Sequence, residues 1–254
     1  MNEAKFNIAI LIDGDNAQAK LIKELIEEVS KYGKATIRRI YGDWTTPHMN
    51  SWKETINQHS INPIQKFSYT AGKNSTDSAM IIDAMDILHS NSVDGFCIVS
   101  SDSDYTGLAK RIREQGLFVM GIGRKTTPIA FVNSCEIFTF SENLQLEEVV
   151  EEEAPKEQSR SKPTRKERPK KVETAGQFPK VNMNIIDKAF DISINEDEEA
   201  NISKLGLTLR KIDPSFDPRT YGFKTLTQLL ASLRKYEIVR NEVNGSNHPR
   251  LKLK

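Results

Sequence analysis

Two short acidic motifs carry most of the chemistry that this sequence can do. Asp13-Gly14-Asp15-Asn16 closes the apolar run Asn7-Ile8-Ala9-Ile10-Leu11-Ile12, and Asp102-Ser103-Asp104 follows Gly95-Phe96-Cys97-Ile98-Val99-Ser100-Ser101. A near-continuous apolar run reads as a strand buried on both faces of a parallel sheet. The acidic residues then lie at the carboxyl end of the strand, where open α/β sheets bind their ligands. Side chains alternate along an extended chain, so Asp13 and Asp15 are expected to point the same way. Two carboxylates held that close repel unless a cation, a proton or a basic group lies between them. Asp77, in Ser75-Thr76-Asp77-Ser78, opens a predicted helix, where the simplest role of an acidic residue is to charge or cap the helix start. Carboxylates brought together without His or Cys suit a hard cation, Mg²⁺ or Mn²⁺. Such an ion activates water and stabilises charge on a phosphoryl oxygen, which is what metal-assisted phosphodiester cleavage requires.

The elements that must position these residues alternate from the start of the chain. Leu21, Ile22, Leu25, Ile26 and Val29 recur at helical spacing between Ala17 and Tyr32, and Gly33 stops that helix. Ala35 to Asp43 reads as a second strand, and Pro47 starts a helix reaching about His59. Ile61 to Phe67 is a short third strand whose Pro63 suits a sheet edge. Met80, Ile81, Ala84, Met85 and Leu88 form the apolar face of the helix that Asp77 opens. The strand at Gly95 leads to a helix from Tyr105 to Gln115, then to strand Phe118–Gly123, a short helix after Pro128, and strand Ile137–Phe140. This βαβ series predicts a doubly wound parallel sheet in which the first strand and the strand at Gly95 flank the switch point, with Asp13 facing Asp102. Arg124 and Lys125 fall just beyond a strand end and place a basic loop near the same edge.

Composition narrows the function classes. The formal net charge is +1, and its regional values are −2 for residues 1–146, 0 for 147–173 and +3 for 174–254. The last part is therefore the mildly basic one, a weak pointer to a polyanionic partner. No apolar run nears the roughly 18 residues that span a bilayer, and no signal peptide is evident, so a soluble cytoplasmic protein with no membrane partner is expected. Cys97 and Cys135 fit a reducing compartment, and neither paired Cys nor paired His spacing suggests zinc. His48, His59, His89 and His248 are scattered and read as ordinary solvated or hydrogen-bonded residues.

Three parts follow from the pattern: an α/β domain at 1–146, a charged Pro-containing linker at 147–176 expected to be disordered, and a small α+β domain at 177–254. In the last, helices are expected near Met183, over Ile202–Ile212 and over Thr225–Tyr236. A hairpin of Ile238–Val243 with Arg250–Leu253 follows, its Asn244-Gly245 turn lengthened by Ser246 to Pro249. Helices followed by a basic hairpin describe a winged helix.

Ile12-Asp13-Gly14-Asp15-Asn16, Lys73 with Asp77 through Asp83, and Ser100-Ser101-Asp102-Ser103-Asp104-Tyr105 resemble the NYN domain of the PIN-like nuclease superfamily, across about residues 5–145. The resemblance implies a metal-dependent ribonuclease in which Asp13, Asp77, Asp102 and Asp104 bind Mg²⁺ or Mn²⁺ and act in catalysis. Asn16, Asp15 and Ser101 would support them, while Asp83 lies six places along a helix from Asp77 and faces another direction. Leu209-Arg210-Lys211-Ile212-Asp213-Pro214-Ser215-Phe216-Asp217 and Tyr221-Gly222-Phe223, through Leu226, Leu229 and Leu230, resemble the LOTUS or OST-HTH domain. That resemblance implies an RNA-binding winged helix, with single-stranded or structured RNA as partner; separately, a homodimer is among the expectations for the chain. Lys73, Arg124, Lys125, Lys204, Arg219, Lys224, Arg240, Arg250 and Lys252 are the candidate RNA-contacting residues. Phe216 and Tyr221 could stack on bases, though core packing is the plainer role for both.

Two rival readings stand beside this one. A hydrophobic strand followed by Asp13-Gly14-Asp15 also looks like the nucleophile motif of haloacid-dehalogenase-type phosphatases, in which the first Asp is phosphorylated. Ala17 stands where that family has Thr or Val, and the basic tail is then unexplained. The other rival is an RNA-binding adaptor without catalysis, against which the full acidic set argues.

Overall fold

The computed structural model of the protein describes residues 6–67, 75–145, 178–243 and 246–254. Its first part alternates β1 (Asn7–Asp13), α1 (Ile22–Ser30), β2 (Lys34–Gly42), α2 (Lys53–Gln58), β3 (Asn62–Gln65) and α3 (Ser75–His89). It continues with β4 (Gly95–Val99), α4 (Thr106–Glu114), β5 (Phe118–Gly123), α5 (Ile129–Ser134) and β6 (Ile137–Phe140). The strands form one six-stranded sheet in the order β3-β2-β1-β4-β5-β6, every pair parallel. The chain runs outward to β3 and returns through α3 to β4, so the sheet reverses between β1 and β4, as the sequence predicts.

The unbroken apolar character of β1 follows from cover on both faces. Ile8, Ile10 and Ile12 pack with Leu25 and Val29 of α1 and with Trp52. Ala9 and Leu11 face the other way, onto Met80 and Ala84 of α3 and Ile112 of α4. All five strand residues are at most 1% exposed, and burying each large aliphatic side chain contributes roughly 1.5–3 kcal/mol. Asp13 comes next in the odd-numbered series, which aims it at the side that carries α3 and α4. Past Asp13 the strand ends: the Asn16 and Ala17 amides both return to the Asp13 carbonyl, at 3.2 and 2.9 Å. A short 3₁₀ turn at Ala19–Leu21 then precedes α1, so the helix starts later than its apolar spacing suggests.

The second part contains α6 (Met183–Ser193), β7 (Glu199–Asn201), α7 (Ile202–Ile212), α8 (Leu226–Ser232), β8 (Tyr236–Val243) and β9 (Ser246–Leu253). A 3₁₀ turn at Pro218–Tyr221 closes on Gly222, whose φ of +83° is the left-handed conformation that glycine adopts without strain. The three strands form an antiparallel sheet in the order β7-β9-β8. Its core joins Ile186, Phe190, Leu205, Leu209, Leu229 and Leu230. Three details differ from expectation. The helix expected through Tyr236 stops at Ser232, because Tyr236 is buried in β8, its ring centroid 5.1 Å from that of Phe190 and its hydroxyl 2.6 Å from Asp187. Val243 pairs with Ser246, so Ser246 to Pro249 extend the strand instead of lengthening the turn. The short β7 has no alternating apolar pattern by which it could have been found. The charged run at 147–176 lies outside the described residues. Among the described residues no helix is long and apolar enough to cross a membrane.

Candidate active site

The carboxyl edge of the sheet holds the acidic residues, and glycine makes the approach possible. The Gly14 amide donates to the Tyr41 carbonyl at 2.9 Å, and a Cβ on Gly14 would lie 2.8 Å from that same oxygen. Glycine therefore lets the end of β1 stay against β2. Asp13 is 1% exposed and receives three donors: Asn16 Nδ2 at 2.6 Å, Ser100 Oγ at 2.9 Å and the Asp15 amide at 3.2 Å. Burial raises its carboxyl above the usual range, against the Asn16 and Ser100 hydrogen bonds, and the charge of Asp77 adds to the rise. With donors on both oxygens and almost no exposure, Asp13 is not presented as a nucleophile of the phosphatase type.

Beside it, Asp77, Asp102 and Asp104 each offer a carboxylate oxygen, and these three atoms lie within 4.8 Å of one another. Asp77 stands in the first turn of α3, where the helix dipole favours a negative charge. Asp102 caps the 3₁₀ turn Ser103–Tyr105 by accepting the Asp104 amide at 3.0 Å. The hydroxyl of the fully buried Tyr105 donates to Asp77 at 2.7 Å. Burial raises the Asp77 carboxyl, Tyr105 works against that, and the charges of Asp102, Asp104 and Asp15 raise it further. Three hard oxygen donors without nitrogen or sulfur are a set that fits a hard divalent cation.

Ser100 links the strand ends, donating to Asp13 and accepting the Asp102 amide at 3.1 Å. Sequence reasoning gave the supporting role to Ser101 instead; its hydroxyl accepts the Arg124 amide at 2.9 Å. Asp15 is exposed and does not share the direction of Asp13, because the chain turns after Asp13 and strand alternation no longer applies. Its charge adds to those that raise the Asp77 carboxyl. Asp83 faces β2, accepting from Arg39 and from the buried Tyr41, whose backbone lies opposite Asp13 in the ladder. Ser100, Tyr105, Tyr41 and Arg39 were all missed as site neighbours. Only the adjacency of Ser100 and Tyr105 to the second acidic motif could have signalled them.

Among the basic candidates, Arg124 lies at the lip of the crevice, its Nη2 3.4 Å from the Asn16 carbonyl. Lys125 has an exposed side chain and its amide bonds Glu142 at 3.0 Å. Lys204 and Lys224 are exposed, whereas Arg250 pairs with Glu199 at 3.1 Å. Lys73 and the Arg240 side chain lie outside the described residues. Arg219 corrects the expectation of RNA contact: its side chain is 12% exposed and bonds Asp217 at 2.6 Å and Glu28 at 2.9 Å. Phe216 is buried in the tail core with its ring 5.8 Å from Tyr221, the packing role.

Family comparison matches the NYN domain over residues 7–143. The chain belongs to the NYN family. The OST-HTH/LOTUS domain matches residues 183–247, and the two in this order support a PIN-like ribonuclease that binds RNA. Among solved structures, a crystal structure of a Vibrio parahaemolyticus protein of unknown function is 20% identical, with a TM-score of 0.46, covering 55% of this chain and 96% of its own. A solution structure of an uncharacterized Nitrosomonas europaea protein is 25% identical, with a TM-score of 0.30, over 37% of this chain and 92% of its own. No curated protein matches.

Proposed function

We propose that this NYN protein hydrolyses RNA phosphodiester bonds with the help of Mg²⁺ or Mn²⁺ at the carboxyl edge of the sheet, and that the tail domain holds the RNA. The observation that carries the reading is the convergence of Asp77, Asp102 and Asp104 within 4.8 Å beside the buried Asp13. These three carboxylates would hold the cation. When bound, it supplies a Lewis acid for a phosphoryl oxygen and an activated water.

The chain's own residues do the rest. Tyr105 holds the Asp77 carboxylate in place, and Ser100 couples Asp13 to the Asp102 loop, so the acidic groups keep their spacing whether or not RNA is present. Asp13, fixed by Asn16 and Ser100, adds negative charge beside the trio. Arg124 and Lys125 at the lip attract the phosphodiester backbone and offset its repulsion by the carboxylates. Lys204 and Lys224 on the tail are further candidates for backbone contact. The same edge in a protein that resides in the cytoplasm would meet free RNA.

The test is cleavage of single-stranded RNA by purified protein with Mg²⁺ or Mn²⁺, with chelator, and with Asp102→Asn checked for native folding by circular dichroism. Cleavage is expected only with metal and only in the unaltered protein. Cleavage in chelator, or full activity in Asp102→Asn, would refute the mechanism.

A further inference from the structure

One carboxylate sits where the first domain gives no reason for it. Glu28 lies in the last turn of α1 and is 3% exposed. A helix C-terminus disfavours negative charge, and a buried ionised group is costly without partners. Lys31, one turn on, reaches Glu28 at 2.7 Å but is itself half exposed. The remaining partner comes from the tail: Arg219 Nη1 and Nη2 meet the two Glu28 oxygens at 2.9 and 3.0 Å. Arg219 is held in turn by Asp217, through Nε at 2.9 Å and Nη2 at 2.6 Å. A guanidinium presents its donors as a planar fork suited to such two-point contacts. Burial pushes the Glu28 carboxyl up, but Arg219 and then Lys31 outweigh it and hold the group below its usual value.

Three further contacts join the same surfaces. The Arg210 guanidinium stacks over Tyr32, 5.6 Å from the ring centroid. Asn143, fully buried, donates to Thr220 Oγ1 at 2.9 Å. The Phe138 amide of the edge strand β6 donates to the Pro214 carbonyl at 2.8 Å. An uncovered edge strand invites pairing with other chains. Proline accepts that bond and has no N–H to continue the ladder, so the tail covers the edge without extending the sheet. Clefts of about 720 and 410 Å³ lie along this boundary, so the contact consists of a few pegs, the charged clamp among them.

We propose that the surface formed by the end of α1 and the β6 edge is a docking site for this chain's own tail segment 207–221, and that Arg219 is a docking residue that makes the two domains one body. The consequence rests on the ribonuclease reading above: RNA held by the tail then reaches the acidic crevice from a fixed direction, not on a free tether. Fixed geometry raises the effective concentration of one site at another beyond what a flexible link provides.

The test uses the full-length protein with spin labels on cysteines placed at the exposed Glu114 and Glu237; the native Cys97 and Cys135 are buried. Pulsed electron resonance is expected to give one narrow distance distribution, broadened in Glu28→Gln and in Arg219→Gln while circular dichroism stays native. A broad distribution in the unaltered chain, or one equally narrow in both variants, overturns the proposal. This readout does not depend on cleavage, so its failure is separable from failure of the ribonuclease reading. Where cleavage is measurable, the two variants should raise KM for long RNA by about tenfold and leave kcat on a trinucleotide unchanged. A fall in trinucleotide kcat would instead place the effect in the acidic site and overturn the docking role.

Discussion

Replacing Asp77 by Asn should make the metal-free protein more stable while destroying its response to metal. Asn keeps an oxygen to accept the Tyr105 hydroxyl and removes one charge from the trio. With 4.8 Å as the outer separation of the carboxylate oxygens, each pair repels by roughly 0.9 kcal/mol at the dielectric of water and roughly 3.5 kcal/mol at an effective dielectric near 20. Asp77 and Asp102 are half-buried and Asp104 is exposed, so the lower part of that range applies and salt trims it further. A net gain of about 1–2 kcal/mol is expected, which for a chain of this size raises Tm by about 3–6 °C. Thermal unfolding in chelator measures it. Adding Mn²⁺ at one hundred times its Kd should stabilise the unaltered protein by about 2.7 kcal/mol and Asp77→Asn by far less. A variant that melts at or below the unaltered protein in chelator, or that gains as much from Mn²⁺, would refute the electrostatic account of the site.

Other outcomes follow from single contacts. Tyr105→Phe deletes the donor to Asp77 and should cost about 1 kcal/mol of stability, with a weaker metal affinity by titration; unchanged affinity would remove Tyr105 from the site. Gly14→Ala forces a methyl toward the Tyr41 carbonyl and should destabilise by about 1–3 kcal/mol in denaturant unfolding, with lost activity because Asp13 shifts. For Glu28, the native fold favours the ionised form. Its contribution is therefore complete above the ordinary value of 4.5 and is lost as pH falls below that, through the lower native value. The stability difference between the unaltered protein and Glu28→Gln should be constant near neutrality and shrink on acidification, and a difference that grows would contradict the clamp.

Much of the acidic edge was legible because its elements obey local rules. Ile8 to Ile12 are apolar without alternation since both faces are covered, and such a run announces a central parallel strand whose end is a ligand edge. The helix that Asp77 opens, and the second run ending at Asp102, can be read in the same way, and alternation of strand and helix then points to a parallel sheet with helices on both faces. The linear pattern misled where the chain leaves regular geometry. Strand alternation pairs Asp15 with Asp13 but stops at Asp13, and it is Ser100, not the expected Ser101, whose hydroxyl reaches Asp13, because one residue of phase at a strand end decides which hydroxyl enters the crevice.

What the sequence by itself determined is the parallel sheet, its reversal between the first strand and the strand at Gly95, and the arrival of Asp13, Asp77 and Asp102 at one edge, since periodicity is set by neighbours along the chain. Only the tertiary structure decided which groups hold those carboxylates and where Arg219 goes. Arg219 looks in the sequence like any surface cation of a basic tail. Its partner Glu28 lies 191 positions away, and no local pattern encodes a contact between two charges that burial alone turns into a clamp.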